Sequence, residues 1–210
     1  METKIVGEKT DIREIPEGTS RFQYIVGEGG NLTLLLLALG RNNATVEANV
    51  LLVGEGAKAT IVGIIVGKHT STVVLHTLQH HIAPETTSNL LVKTALTDGA
   101  TCTYDGGIRV EKRAQKTDAY QRNENLLLSD SAHAESKPSL EILANDVRCT
   151  HGATVGQIPE DQLWYLATRG IGKKKGQGLI VSGFLESALN AVQDSTIVEE
   201  IRTKVSATLA

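Results

Sequence analysis

The chain punctuates itself at a regular step. From Gly30 onward turn clusters recur as Gly29-Gly30-Asn31, Asn42-Asn43-Ala44, Glu55-Gly56-Ala57 and Lys68-His69-Thr70, with 13 residues between equivalent positions 30, 43, 56 and 69. Only short strands fit between such turns, and the residues there are β-branched or Leu-rich. In Thr45 to Val53, Val46, Ala48, Val50 and Leu52 alternate with Thr45, Glu47 and Asn49, the period of a strand with one buried face. Evenly spaced short strands suit a β-solenoid and equally a sandwich of hairpins. Asp105-Gly106 is even a hairpin-type dipeptide. Periodicity alone leaves both architectures open.

After Gly156 the pattern becomes helical. Pro159 can occupy a first helical position, Glu160 and Asp161 bring negative charge to the first turn, and Gly170 is placed to end the helix. A second segment sets Val181, Phe184, Leu185, Ala188, Leu189 and Val192 at helical spacing. Thr196-Ile197-Val198-Glu199 reads as a capping box for a last helix with Ile197, Ile201 and Val205 on one stripe. Between the first two helices, Gly170 to Gly178 lacks the Lys-Ser or Lys-Thr of a phosphate loop and reads as an interhelical loop. We therefore expect a β part at 1–156, a helical subdomain at 157–210, and no nucleotide site.

Bulk properties exclude several classes. A formal charge of -3, dispersed basic residues and 3% aromatics argue against nucleic-acid binding. Met1 to Glu8 has no apolar signal core, and the longest apolar run, Leu34 to Leu39, is too short to span a bilayer. Two cysteines without a framework pattern point to a reducing, cytoplasmic setting.

Cys149-Thr150-His151 carries the most specific chemistry. In a strand residues i and i+2 share a face, so the thiol and the imidazole can address one metal or cluster while Thr150 points away. The competing reading is a small packed Cys and a hydrogen-bonded His. By the same alternation His76 and His80 share one face and His81 takes the other, so the three read as structural or surface histidines. Cys102 reads as a core residue. Ser129, Asp130, His133 and Glu135 show no nucleophile elbow or ordered triad.

The blocks His81 to Asn89, Ala114 to Gln121, Asn125 to Ser129, Leu140-Glu141-Ile142, Asp146 to Gly156, Trp164-Tyr165-Leu166 and Arg169-Gly170-Ile171 resemble, in order, the SufB/SufD family of iron–sulfur cluster assembly proteins. The resemblance spans His81 to Ile171; before His81 it is one of style. It implies a mainly β fold, a right-handed parallel β-helix with a small C-terminal α-helical subdomain, for which two 13-residue segments per coil are consistent. It further implies a non-catalytic scaffold carrying an iron–sulfur cluster or iron transiently, shared with a partner chain. His151 is then a ligand candidate, with Cys149 and Glu141 beside it. The implied partners are a SufC-type ATPase, docking on the C-terminal helices through residues such as Leu163, Trp164, Leu166, Arg169 and Phe184, and a SufB-like subunit or second copy.

The chain also departs from the family. The SufB ligand cysteine position holds Ile142, and Thr150 and Gly152 flank the motif His where SufB has Glu, so the pattern is SufD-like. The chain starts almost inside the β part, so the expectation is a short form, natural or trimmed, lacking the family's N-terminal region. The family's acidic helix start is replaced by Lys173-Lys174-Lys175. Outside the family, a β-helix carbohydrate-active enzyme using Asp98, Asp105, Glu111 and Asp118, or a structural dimerisation module without cluster binding, are the alternatives.

Overall fold

The alternation read in Thr45 to Val53 is realised as a strand, one of twelve among the described residues. A computed structural model describes residues 2–16, 18–40, 42–190, 192 and 194–209. The strands are β1 (Glu2–Val6), β2 (Lys9–Glu14), β3 (Gly18–Val26), β4 (Asn31–Gly40), β5 (Ala44–Leu52), β6 (Lys58–Gly67), β7 (Thr72–His81), β8 (Thr87–Leu96), β9 (Thr101–Val110), β10 (Thr117–Leu127), β11 (His133–Ile142) and β12 (Val147–Gln157). Helices α1 (Glu160–Thr168), α2 (Lys173–Leu189) and α3 (Ser195–Leu209) complete the chain.

Every strand pairs with the second one along, never with its neighbour in sequence. Odd strands form one six-stranded sheet and even strands another, and the pairings are parallel. This is a parallel β-helix, and it excludes the hairpin sandwich. Asp105-Gly106 lies within β9 and makes no hairpin. Gly106 is needed there for another reason: a Cβ would sit 2.1 Å from the Tyr104 hydroxyl oxygen and 2.6 Å from Gln121 Nε2.

The step between coils starts near twice 13 and then lengthens. Gly18 pairs with Ala44, 26 residues on; Ala44 pairs with Val73, 29 on; Thr101 pairs with His133, 32 on. The turns stack as well. Gly29, Gly56, Glu85 and Lys116 all have positive φ, from 57° to 68°. Their N–H groups donate to the carbonyls of Glu55, Pro84, Gln115 and Asp146 in the next coil, at 3.0, 3.3, 2.9 and 2.6 Å. The left-handed conformation strains a non-glycine residue by about 1–2 kcal/mol, and at Glu85 and Lys116 the axial hydrogen bond and a 2.8 Å ion pair between the two side chains offset it.

Two apolar layers hold the molecule. One fills the space between the sheets, from Tyr24, Leu32 and Leu34 to Cys102 and Tyr104. The other lies on the outer face of the even sheet, where Leu35, Leu37, Val62, Ile64 and Val66 meet Val181, Leu185, Ala188, Leu189, Val198, Ile201 and Val205 of α2 and α3. The helices therefore share a core with the β-helix.

Two local expectations are corrected. Lys173 to Gly178 is the first part of α2, so the interhelical loop is confined to the residues before it. Gly176 is buried there because Leu163 and Leu166 of α1 pack on it, and a Cβ would meet Leu166 at 3.3 Å. α3 is capped by Asp194, whose Oδ1 accepts the N–H groups of Thr196 and Ile197 at 2.8 and 3.2 Å, so the Thr196 capping box is not formed. Among the described residues no helix is long and apolar enough to cross a membrane.

Candidate functional site

The last coil places the motif by register. On β10 Glu124 is buried on the outer face, while the residues buried on the lumen side are Thr117, Ala119, Gln121, Asn123 and Asn125. Their partners on β12 are Val147, Cys149, His151, Ala153 and Val155. Cys149 and His151 thus both face the lumen, on the final strand, where no further coil covers them. Thr150 is turned to the outer face with Tyr120.

Their surroundings differ. Cys149 packs on the cluster of Ile108, Val110, Ala114, Ala119 and Ala144. This burial raises its pKa, the Asp118 carboxylate adds to the effect, and a hydrogen bond to the Ala119 backbone opposes it. The side chain is therefore a thiol at neutral pH, and binding a metal must expel its proton. His151 is exposed and has no hydrogen bond or ion pair among the described residues. Neither imidazole nitrogen is engaged by another described side chain.

Glu141 is not brought to them. On β11 its neighbours Leu140 and Ile142 pair with Ile108 and Val110, which face inward, so Glu141 points out of the solenoid. There it lies 3.3 Å from Arg109, in a group that also joins Glu111 and His80. Ile142, like Leu140, faces the lumen. Among the described residues no three His, Cys, Asp or Glu side chains are grouped to hold a metal ion.

Behind the motif the lumen is polar, which the residue pattern shows only once the inward parity of each strand is known. His81 is fully buried and its nitrogens meet Thr86 and Ser88 hydroxyls at 2.7 and 2.8 Å. Burial lowers its pKa to about 4, with His80 a lesser cause, so it is a neutral structural histidine. Thr77 and Tyr104 share a 3.0 Å hydrogen bond, Gln79 donates to Gln121 at 3.3 Å, and Gln121 donates to the Gly106 carbonyl at 3.0 Å. Gln79 Oε1, Asn125 Oδ1 and Ser136 Oγ are buried without a partner. Cys102 is 1% exposed, and burial pushes its thiol up to about 12, as a core residue. His76 stands on the outer face 3.7 Å from Asp105.

The outer helices form the second candidate surface. α1 buries no residue. Leu163 and Leu166 turn toward α2, whereas Trp164 and Tyr165 are 70% and 55% exposed. Arg169 stacks over the Tyr165 ring at 5.4 Å. Phe184 is half-buried and roofs Lys93, whose ammonium lies 4.2 Å from the ring centroid and 2.6 Å from Glu124. This nearly buried ion pair under α2 gives no motif in the sequence. The carboxylates of a carbohydrate-active reading are scattered: Asp105 and Glu111 belong to the odd-sheet side, Asp118 pairs with Arg148 on the even sheet, and Asp98 lies in a turn bound to His69.

By fold and site the protein is a parallel β-helix with helices on one sheet and a thiol–imidazole pair at its open end. Residues 18–184 match the family model described as SUF system FeS cluster assembly, SufBD core domain, and the chain belongs to that family of iron–sulfur cluster assembly proteins. It is 37% identical over 118 residues to the iron–sulfur cluster assembly protein SufD of Escherichia coli, covering 56% of this chain and 28% of SufD. A SufBD family protein of Synechocystis is 33% identical over 59% of this chain and 27% of its own length. The chloroplastic protein ABCI7 of Arabidopsis thaliana is 36% identical over 50% of this chain and 22% of its own length. The matched part is thus between a fifth and a third of these relatives.

Proposed function

We propose that the protein is a non-catalytic scaffold subunit of a SUF-type complex, which offers Cys149 and His151 to a nascent iron–sulfur cluster at an interface between two chains. The cluster is cargo, held in passing. One observation carries the reading: the thiol and imidazole share the lumen face of the last strand beside the exposed apolar side chains of Leu140, Ile142, Leu143 and Val155. Unpaired strand edges and apolar side chains favour a covering partner, and a SufB-like subunit or a second copy fits. Two ligands fall short of the four a cluster takes, and the second chain supplies the rest. The helices after residue 156 act as the docking unit for a SufC-type ATPase, with Trp164, Tyr165 and Arg169 as anchors. Aromatic and Arg side chains exposed on a surface helix support that role.

The test is anaerobic reconstitution with iron and sulfide, with the partner chain present. His151→Ala should lose most of the bound iron while thermal unfolding and ATPase co-purification stay as in the wild type. Wild-type iron content in that variant sinks the ligand assignment. Ile142 supports a second reading, a dimerisation module without cluster binding, and wild-type chain that pairs with its partner but retains no iron would favour it.

A further inference from the structure

The first turn of α2 runs against helix electrostatics. A helix N-terminus carries partial positive charge and favours acidic side chains, as Glu160 and Asp161 supply to α1. α2 opens instead with Lys173-Lys174-Lys175, no acidic residue, and no side-chain cap at Gly172. Neither Lys173 nor Lys175 has a carboxylate partner among the described residues. At Lys173 and Lys175 the local rule is broken without a local carboxylate to offset it, which marks a functional place.

Lys174 and Lys175 border a cleft. It has a volume of about 790 Å³ and lies between a turn of the solenoid, with Lys68 and Leu128, and the α2 residues Lys174, Lys175 and Val181. Asp98 also lines it, but its Oδ2 already accepts the His69 N–H at 2.9 Å and faces the His69 ring. Lys68 donates to the Thr208 carbonyl, a neutral partner that leaves its charge uncancelled. On a chain of formal charge -3 the cleft is a local positive field over an apolar floor of Leu128 and Val181.

We propose that this cleft receives an acidic segment of the ATPase partner, its carboxylates at Lys68 and Lys175 and an aliphatic side chain on Leu128 and Val181. This rests on the docking reading above. Two observations select that occupant. The charge is complementary to carboxylates, and α2 lines both the cleft, through the 49% exposed Leu179, and the groove it forms with Tyr165 of α1, through Ile180, so one partner can reach both. A segment held there grips solenoid and helix together, so movement of the partner reaches both. The lysines set association rate and salt dependence, and the aromatic anchors on α1 set the lifetime of the complex.

The experiment is calorimetry and stopped-flow association of the full chain with its SufC-type ATPase across a salt series. Lys68→Glu/Lys175→Glu should slow association about tenfold at low salt and flatten the salt dependence. Lys175→Glu alone, which leaves the Lys68–Thr208 contact intact, should give part of that effect with unchanged thermal unfolding. Trp164→Ala should weaken binding equally at all salts. Wild-type rate and salt slope in both charge variants would overturn the inference and leave docking standing. Failure of the wild-type chain to bind the ATPase would overturn both. Occupation of the cleft by inorganic pyrophosphate with no effect on ATPase association would assign it to a small anion, and the inference would fall.

Discussion

Along one inward column of the even sheet the residues read Leu34, Ile61, Leu90, Gln121 and His151. The neighbouring column reads Leu32, Ala59, Ser88, Ala119 and Cys149, and the odd sheet answers with Val26, Leu52, His81, Val110 and Ile142. The backbone repeats, yet the first coils are filled with hydrocarbon, whereas the later ones interleave it with hydrogen-bonded polar groups. In a solenoid each coil touches only its neighbours, so stability adds coil by coil. The early coils supply it by removing apolar surface from water. In the later coils each buried polar group must find a partner, and a missed partner costs about 1–3 kcal/mol. Three such atoms are unpaired in this part of the lumen. A polar lumen is the costlier filling, and it leads to the open end where Cys149 and His151 stand.

The contrast can be broken experimentally. Leu34→Ala, at a fully buried position in the apolar half, should cost about 3–5 kcal/mol in urea unfolding, from lost transfer energy and the cavity left behind. A cost below that of any polar-half variant would refute the division of labour.

His81 gives the next largest effect, through pH. Its folded pKa lies near 4 against 6.5 for the free group, so between those values the unfolded chain binds more protons. The stability from a neutral His81 is present in full above pH 6.5 and is lost as pH falls toward 4. The linked loss is about 3 kcal/mol at most. Urea midpoints measured from pH 7 to 4 on wild type and His81→Gln check it, since the variant should lose this part of the slope.

Gly106→Ala should cost about 2 kcal/mol by crowding Tyr104 and Gln121. A Tyr104→Phe background should reduce that cost, because the added methyl meets the hydroxyl first. Cys149→Ser should change stability least, by under about 1 kcal/mol, because the site is only partly buried. Its readout is chemical: burial holds the thiol protonated, so alkylation of Cys149 should be slower than that of a free thiol at neutral pH and quicken as pH rises.

Much of the fold was legible in the residues. The turn clusters fall between strands, the alternation of Val46 to Leu52 is a half-buried strand, and the change to helix after Gly156 is where β12 gives way to α1. The capping box at Thr196 gives way to a cap by Asp194; two readings that turned on glycine share another cause. Lys173 to Gly178 looks like a loop because Gly disfavours helices, yet Gly176 is where α1 packs closely on α2. Asp105-Gly106 looks like a turn because the dipeptide suits one, yet Gly106 yields its side-chain volume to Tyr104. In both, a glycine is chosen for a neighbour distant in sequence.

The candidate site divides in the same way. The i, i+2 spacing determined that Cys149 and His151 share a face, because a pleated strand alternates whatever surrounds it. Alternation likewise required Glu141 and Ile142 to point in opposite directions. Which of the two faces the lumen was decided by the pairing of β11 with β9, and it sent Glu141 to Arg109 and Ile142 inward. Sequence determined the period of each strand, the turn sites and the family blocks, because these depend on local backbone geometry and side-chain type. The tertiary structure alone decided the register, the polar filling of the later coils and the seat of the helices on the even sheet, because each depends on contacts between residues tens of positions apart.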